Sequence, residues 1–289
     1  MPKLNRVRLG LVLGAVVLAA GATNVQAQGG APAPDFSEPC PAVYPGDEAG
    51  QERIARWMAR SAAGRGIPHE LPVMAGLVES GLRNLRGPDY LGFFGMHRSL
   101  NSGDYHGFPR NPTLQVKWFL DSAQLVRQRR VAEGRADPAK DSSSWGSWIA
   151  DVERPARELR GRYQSRIEDA RTLLAGKCAA PASTDTTPPQ LFARIAAIQH
   201  PLGVGIRLSV RCADHDCLVG ATAVFGTRTV RTAAIEPAAD GSSVLTLALP
   251  RAARRELRAG RTVRTTVSVT AADAAANPNT RRRLVTLVG

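Results

Sequence analysis

The hydrophobic period of this chain changes once, at a tract rich in Pro, Ser, Thr and Ala that runs from Cys178 to Pro189 (CAAPASTDTTPP). Before it, apolar residues recur at three- and four-residue steps; after it, they alternate with polar ones. The first spacing puts side chains on one face of a helix, and the second puts them on one face of a strand. The tract has no apolar period of its own and reads as a linker. A multidomain chain is therefore expected: an all-α domain over residues 48–178, a linker over 179–189 and an all-β domain over 190–289. With 289 residues in all, each part is long enough to bury a core.

In the helical part, Asp47 and Glu48 open a first helix that carries Ile54, Trp57, Met58 and Ser61 to about Arg65, where Gly66 and Pro68 break it. A second helix begins near His69, with Leu71, Met74, Ala75, Val78 and Leu82 in phase. Asn111-Pro112 has the form of an N-cap followed by Pro at the first helical position. The helix after it places Gln115, Trp118 or Phe119, Ser122, Leu125 and Val126 on one side. A last helix from Pro155 carries Leu159, Tyr163, Ile167, Ala170 and Leu174. No strand of convincing length interrupts them.

Beyond the linker, Ile206, Leu208, Val210 and Cys212 alternate with polar residues, as do Leu245, Leu247 and Leu249 and then Val263, Thr265, Val267, Val269 and Ala271. Turn residues separate these runs, at Gly220, Gly226, Asp240-Gly241, Gly260 and Asn277-Pro278. About seven short strands in such a span predict a β-sandwich. A short helical turn is expected over Arg251 to Leu257.

Residues 1–27 carry Lys3, Arg6 and Arg8 ahead of an uncharged run from Leu9 to Ala22, and end at Val25-Gln26-Ala27. As a helix that run spans about 21 Å, short of a bilayer core of roughly 30 Å. The pattern is that of a secretory signal peptide cleaved after Ala27, followed by an irregular lead-in over 28–47. Export places the four cysteines where they oxidise. Spacing pairs Cys40 with Cys178, joining the ends of the helical part, and Cys212 with Cys217 within one local segment. Cys212, His215 and Cys217 as metal ligands form the rival reading, without a fourth ligand in view; no metal and no cofactor are expected.

The net charge of +13 is uneven. Residues 28–187 hold 21 basic and 19 acidic side chains, whereas residues 188–289 hold 14 Arg, no Lys and 6 acids. An Arg-rich exported domain suits anionic cell-wall polymers, and export disfavours nucleic acid as a partner. Nothing after the signal peptide is long and apolar enough to span a membrane. The chain contains no Walker-type phosphate loop, no Gly-rich dinucleotide fingerprint and no HExxH zinc helix.

Glu79 is the residue most suited to chemistry. It closes an otherwise apolar helix in Val73-Met-Ala-Gly-Leu-Val-Glu79-Ser80-Gly81 and borders the apolar stripe. Partial desolvation and the negative helix end both disfavour an ionised carboxyl, so a raised pKa, fit for a general acid, is expected there. Ser80 either orients that carboxyl or caps the helix. Tyr90, Phe93, Phe94, Met96 and Tyr105, with His106 and Phe108, lie in the loop-rich stretch that follows, where aromatic faces can stack on sugar rings or enter the core.

The segment from Ala62 to Leu82 resembles the catalytic-helix region of the soluble lytic transglycosylases, lysozyme-like enzymes that cut peptidoglycan glycan strands. The likeness covers about residues 48–176. In that family a Glu-Ser pair ends an apolar helix and a Gly-Leu-Met-Gln-like loop follows; here the pair is Glu79-Ser80 and the loop is Gly92-Phe-Phe-Gly-Met96. The resemblance implies a single Glu that first protonates the leaving oxygen and then takes the proton of the muramyl C6 hydroxyl, leaving a 1,6-anhydro end. Glu79 is the residue that would do so, with Ser80, Tyr90, Phe93, Phe94, Met96 and Tyr105 toward the substrate. Gly95 stands where the family has Gln. The family's Ala-Tyr-Asn-x-Gly segment is missing; Trp145 to Val152 occupies its approximate place, and Tyr163 either belongs to the core stripe, which it fits well, or substitutes for that Tyr.

Residues 188–289 resemble the Ig-like accessory domains of exported bacterial proteins, with Thr262 to Asn277 similar to their closing strand and Ala276 at a Gly position. Two other readings stay open. One is a non-catalytic wall-binding or adhesion protein, favoured by the missing loop Gln and Tyr-Asn element. The other is a hydrolytic lysozyme using Asp89 or Asp104 as the second carboxylate that such hydrolysis needs.

Overall fold

In a computed structural model of the chain, residues 40–175 and 185–289 are described, apart from 202, 204, 214–216, 239 and 240. The expected signal peptide, most of the lead-in and Cys178 lie outside the described residues. Helices and 3-10 turns fill the first part and strands the second.

The helical region is built from α1 (Gln51–Ala63), α2 (Glu70–Glu79), α3 (Pro112–Ala132), α4 (Trp145–Glu153) and α5 (Ile167–Leu174). The Asn111 side chain caps α3 by accepting from Thr113 N at 3.1 Å, with Pro112 at the first helical position. Three expectations need correction. The region is not all-α, because 85–97 forms a small antiparallel sheet of β1 (Leu85–Arg86), β2 (Tyr90–Gly92) and β3 (Met96–His97). Strands of two and three residues are too short to produce a period in sequence. The helix expected from Pro155 is a 3-10 segment, Arg157–Arg166, that becomes α-helical only at α5; Leu159 is exposed while Tyr163 is fully buried. On α3, Gln115 and Phe119 of the expected stripe are buried, but Val116, Leu120 and Ala123 complete the buried face, while Ser122 is only partly buried and Leu125 is exposed.

One hydrophobic core unites these elements. Trp57 of α1 meets Phe93 and Tyr44 at ring-centroid distances of 6.0 and 5.0 Å, and Phe94 stacks on Phe119 of α3 at 4.6 Å. The two phenylalanines between β2 and β3 thus anchor that loop to two different helices. Gln115 fixes it further from the buried side. Its Oε1 accepts from Phe93 N at 3.2 Å, and its Nε2 donates to Asn84 Oδ1 and Phe108 O, both at 3.1 Å.

The second region contains two sheets over one apolar core. The larger has the order β5-β11-β10-β7-β8, with β5 Ile198–Gln199, β7 Leu218–Phe225, β8 Arg228–Arg231, β10 Val263–Ala272 and β11 Pro278–Leu287. The smaller has the order β4-β6-β9, with β4 Leu191–Arg194, β6 Ile206–Cys212 and β9 Ser243–Leu247. Ile206, Leu208 and Val210 from one sheet and Val267, Val269 and Ala271 from the other all point into that core, as their alternation requires. A helix, α6 (Arg251–Arg258), connects β9 to β10. Cys212 and Cys217 are disulfide-bonded, which ties up both thiols of the alternative metal reading.

The two regions touch extensively and belong to one unit, Pro39–Gly289. Val131 and Ala132 at the end of α3 pack against Ala272 and Ala276. Gln128 Nε2 donates to Ala272 O at 3.0 Å and Gln124 Nε2 to Ala274 O at 2.9 Å. Only a glycine at position 220 permits this approach: a Cβ there would lie 2.5 Å from Ala132 O.

Candidate active site

Glu79 is the last residue of α2, and its side chain is only 17% exposed. The chain reverses immediately after it. Ser80 N and Leu82 N both donate to Gly76 O at 3.0 Å, and Gly81 and Leu82 take left-handed φ values of 62° and 59°. For a leucine that conformation costs about 1–2 kcal/mol. Complete burial of its side chain, which is 1% exposed, returns about 1.5–3 kcal/mol. The turn that ends the helix at Glu79 is therefore held by Leu82 in the core. Ser80 contributes to the same frame: its hydroxyl lies 2.8 Å from Phe93 O and 3.1 Å from Gly76 O, joining the helix end to the β2–β3 loop. Its hydrogen bonds run to backbone carbonyls and not to the Glu79 carboxyl.

Two side chains from the 3-10 segment reach the Glu79 carboxylate. Tyr163 donates its hydroxyl to Oε1 at 2.6 Å, and Arg162 Nη2 donates to the same oxygen at 2.8 Å. Burial, followed by the hydrogen bond to the Glu79 carboxylate, pushes the Tyr163 phenol well above its ordinary value, so it stays a donor through neutrality. On the other side stands Gly95, whose missing side chain would begin 3.7 Å from Glu79 Oε2. The Tyr163 ring lies in the core, as the stripe implied, and its hydroxyl emerges at the Glu79 carboxylate.

Gln164 holds that segment in place. Its Oε1 accepts from Gly146 N at 2.7 Å, at the start of α4, and its Nε2 donates to Ser142 O at 3.1 Å. Trp145 and Trp148, which occupy the sequence place of the missing motif, are buried; Trp148 Nε1 donates to Ala123 O at 2.9 Å. Trp148 thereby seats α4 against α3.

Beside Gly95 opens a cavity of about 430 Å³, bordered by Phe94, Met96, Trp118 and Tyr90 and by Glu153 at the end of α4. Tyr90 is 61% exposed at its rim, edge-on to His97. Phe93, Phe94 and Met96 are almost wholly buried, so what Phe94 and Met96 offer the cavity is the edge of the core. Tyr105 stands elsewhere. Its hydroxyl donates to Asp121 Oδ2 at 3.0 Å, within a cluster that includes Lys117 and Arg65 on α3 and α1's outgoing turn. Burial and the Asp121 charge push its phenol up to about 12. Asp89 and Asp104 are exposed, and neither faces Glu79 in any hydrogen bond or ion pair.

Sequence reasoning passed over Arg162, Gln164 and Glu153. Nothing marks the first two among so many polar residues. Glu153 did carry a sign: Ile149-Ala-Asp-Val-Glu153 closes a short apolar helix with an acid, just as Gly76-Leu-Val-Glu79 does.

Cys40 is disulfide-bonded; Cys178, its partner in the sequence reading, lies outside the described residues. Among the described residues no group of three His, Cys, Asp or Glu side chains could hold a metal ion, and no helix is long and apolar enough to cross a membrane. Comparison with protein-family models and with curated proteins finds no match.

Proposed function

We propose that this chain is an exported peptidoglycan lytic transglycosylase, with a lysozyme-like helical domain and an Ig-like sandwich that lies against the wall. The observation carrying this reading is the setting of Glu79: a carboxyl group at a helix end, enclosed by core residues and held through Oε1 by the Tyr163 hydroxyl, with Oε2 toward the side-chain-free Gly95. In its acid form Glu79 protonates the glycosidic oxygen between MurNAc and GlcNAc, and the C1–O bond breaks. The carboxylate then takes the proton of the muramyl C6 hydroxyl as that oxygen bonds to C1. The products are a 1,6-anhydromuramyl end and a free GlcNAc hydroxyl, with no water consumed and Glu79 again protonated. Tyr163 stabilises the carboxylate between the two transfers by its short hydrogen bond. The Arg-rich sandwich provides electrostatic attraction to anionic wall polymers.

A hydrolytic route has one observation in its favour, the second carboxyl at Glu153. One experiment separates the outcomes: mass spectrometry of peptidoglycan incubated with the chain or with Glu79→Gln. Anhydromuramyl products, one water lighter than hydrolysis products and absent with the variant, are expected. Hydrated reducing ends would replace the reading with hydrolysis, and an intact glycan that still pellets the protein would replace it with wall binding.

A further inference from the structure

Glu153 ends α4 with its carboxyl in an unusual position. Oε1 is sealed from solvent and has no hydrogen-bond partner among the described residues, although the residue as a whole is only partly buried and borders the cavity beside Gly95. Of the donors near it, Tyr163 gives its one hydroxyl proton to Glu79 and Arg162 directs Nη2 to the same carboxylate. Among the described residues, the other charged and titratable groups lining the cavity are Tyr90 and His97 of the small sheet, Arg129 of α3, and Asp151 and Arg154 at the end of Glu153's own helix. Asp151 is neutralised by Arg130, at 2.6 Å, and by Arg160. An ionised carboxylate with a sealed, unpartnered oxygen would be costly, and the negative end of α4 adds to that cost. A protonated carboxyl escapes most of it. Consistently, burial first and the Glu79 charge second push Glu153 well above the ordinary glutamate value, with the Arg162 charge opposing them only in part.

We propose that Glu153, through Oε2 and not the sealed Oε1, presents a carboxylic acid O–H, not a carboxylate, to this cavity, and that this donor recognises the acetamido carbonyl of an amino sugar. The walls suit that group: Phe94, Met96 and Trp118 offer apolar surface for its methyl, and the acid offers the one thing a carbonyl oxygen requires. The inference rests on the glycan reading above and specifies how the sugar's N-acetyl group is read. Glu79 and Glu153 then form a pair of carboxyls with different duties, one exchanging protons with substrate and one retaining its proton for recognition.

The test is calorimetric binding of tri-N-acetylchitotriose to the full chain between about pH 5 and about pH 9, the range in which buried carboxyls titrate, with the de-N-acetylated trimer as control. The wild type at the acid end of that range is expected to bind the acetylated trimer about tenfold more tightly than a chain without the donor, the worth of one neutral hydrogen bond. Glu153→Gln keeps a donor of the same shape and should bind like the acid form at every pH. Glu153→Leu should bind about tenfold more weakly throughout, with a melting temperature no lower than the wild type's, since it removes an unpaired buried group. Glu153→Leu binding as tightly as the wild type at the acid end of the range, Glu153→Gln binding no better than Glu153→Leu, or no binding at all would overturn the proposal. Peptidoglycan cleavage without these effects sinks this inference alone; Glu153-dependent binding without cleavage sinks the transglycosylase reading alone.

Discussion

Gly146→Ala is the change that isolates how Tyr163 is held. Gly146 lies in the first turn of α4, against the 3-10 segment, and its backbone conformation is ordinary, so left-handed strain plays no part. A methyl group there would sit 2.6 Å from Gln164 Cβ, 2.7 Å from its backbone N and 2.8 Å from its Cα. Ordinary contact begins near 3.5 Å, so the two segments must separate by about 0.7–1 Å, and backbone cannot swing aside as a flexible side chain would. Overpacking of this kind costs about 1–3 kcal/mol. It also pulls at the Gly146 N to Gln164 Oε1 bond and moves the neighbouring Tyr163, whose hydroxyl lies 2.6 Å from Glu79. A displacement near 1 Å takes that bond out of strong range, and misplacement of this size costs about a hundredfold in rate. Urea unfolding and release of soluble peptidoglycan fragments should both report the change. Gly161→Ala, two residues before Tyr163 and with nothing within 4 Å of the new methyl, is the control and should be neutral. Gly146→Ala with the wild-type urea midpoint and wild-type turnover would refute the argument.

Arg127 and Asp137, with side chains 13% and 11% exposed, are joined by two hydrogen bonds of 2.8 and 2.7 Å; Arg127→Ala strands the carboxylate and should cost about 3–5 kcal/mol by urea unfolding, while Arg127→Leu with Asp137→Leu should cost far less. Burial raises the Asp137 carboxyl, but the Arg127 hydrogen bonds and charge outweigh it and hold it below the usual carboxylate value. The pair's contribution is therefore complete above about pH 4 and lost as pH falls through the folded value, so the wild type should lose its margin over Arg127→Ala in acid. Gly220→Ala places a methyl 2.5 Å from Ala132 O and should lower the unfolding midpoint by prying β7 from α3, by about 1–3 kcal/mol, whereas Gly241→Ala, with open space around it, should not. Glu79→Gln should abolish anhydromuramyl release while leaving the melting temperature within a few degrees, as seen by mass spectrometry and circular dichroism.

The helix-then-strand order was legible because period is a local property. The alternation in Ile206, Leu208 and Val210 and the Asn111-Pro112 cap each need only a few neighbouring residues to declare themselves, and both are present. What escaped depends on contacts distant in sequence. The small sheet over 85–97 forms because Gln115, on a later helix, binds Phe93 N, and because Phe93 and Phe94 have core to enter. The C-terminal half of the α3 stripe was misjudged for a related reason. Its far end does not cover the helical core but packs Val131 and Ala132 against the β region, so one helix serves two cores and its apolar residues do not follow a single stripe.

The candidate site separates along the same line. Glu79 and Ser80 could be singled out because a carboxyl closing an apolar helix is out of place in a local window. The partners that decide its chemistry, Tyr163 and Arg162, are 84 and 83 residues away in sequence and fold onto it only through the 3-10 segment. A 3-10 helix has three residues per turn, so a stripe read at the α-helical period loses phase there. That loss of phase is why Leu159 is exposed and Tyr163, four residues on, is fully buried with only its hydroxyl reaching the carboxylate. Had the segment continued as a regular α-helix, Leu159 and Tyr163 would share a face and the phenol would have remained one more core contact. The change of helical pitch is thus what converts a core tyrosine into a group that touches Glu79. It also explains the two-sided clamp by Gln164, since a 3-10 segment of ten residues is longer than that geometry sustains unaided. The bonds from Gln164 to Gly146 and Ser142 supply the support its own hydrogen bonds do not.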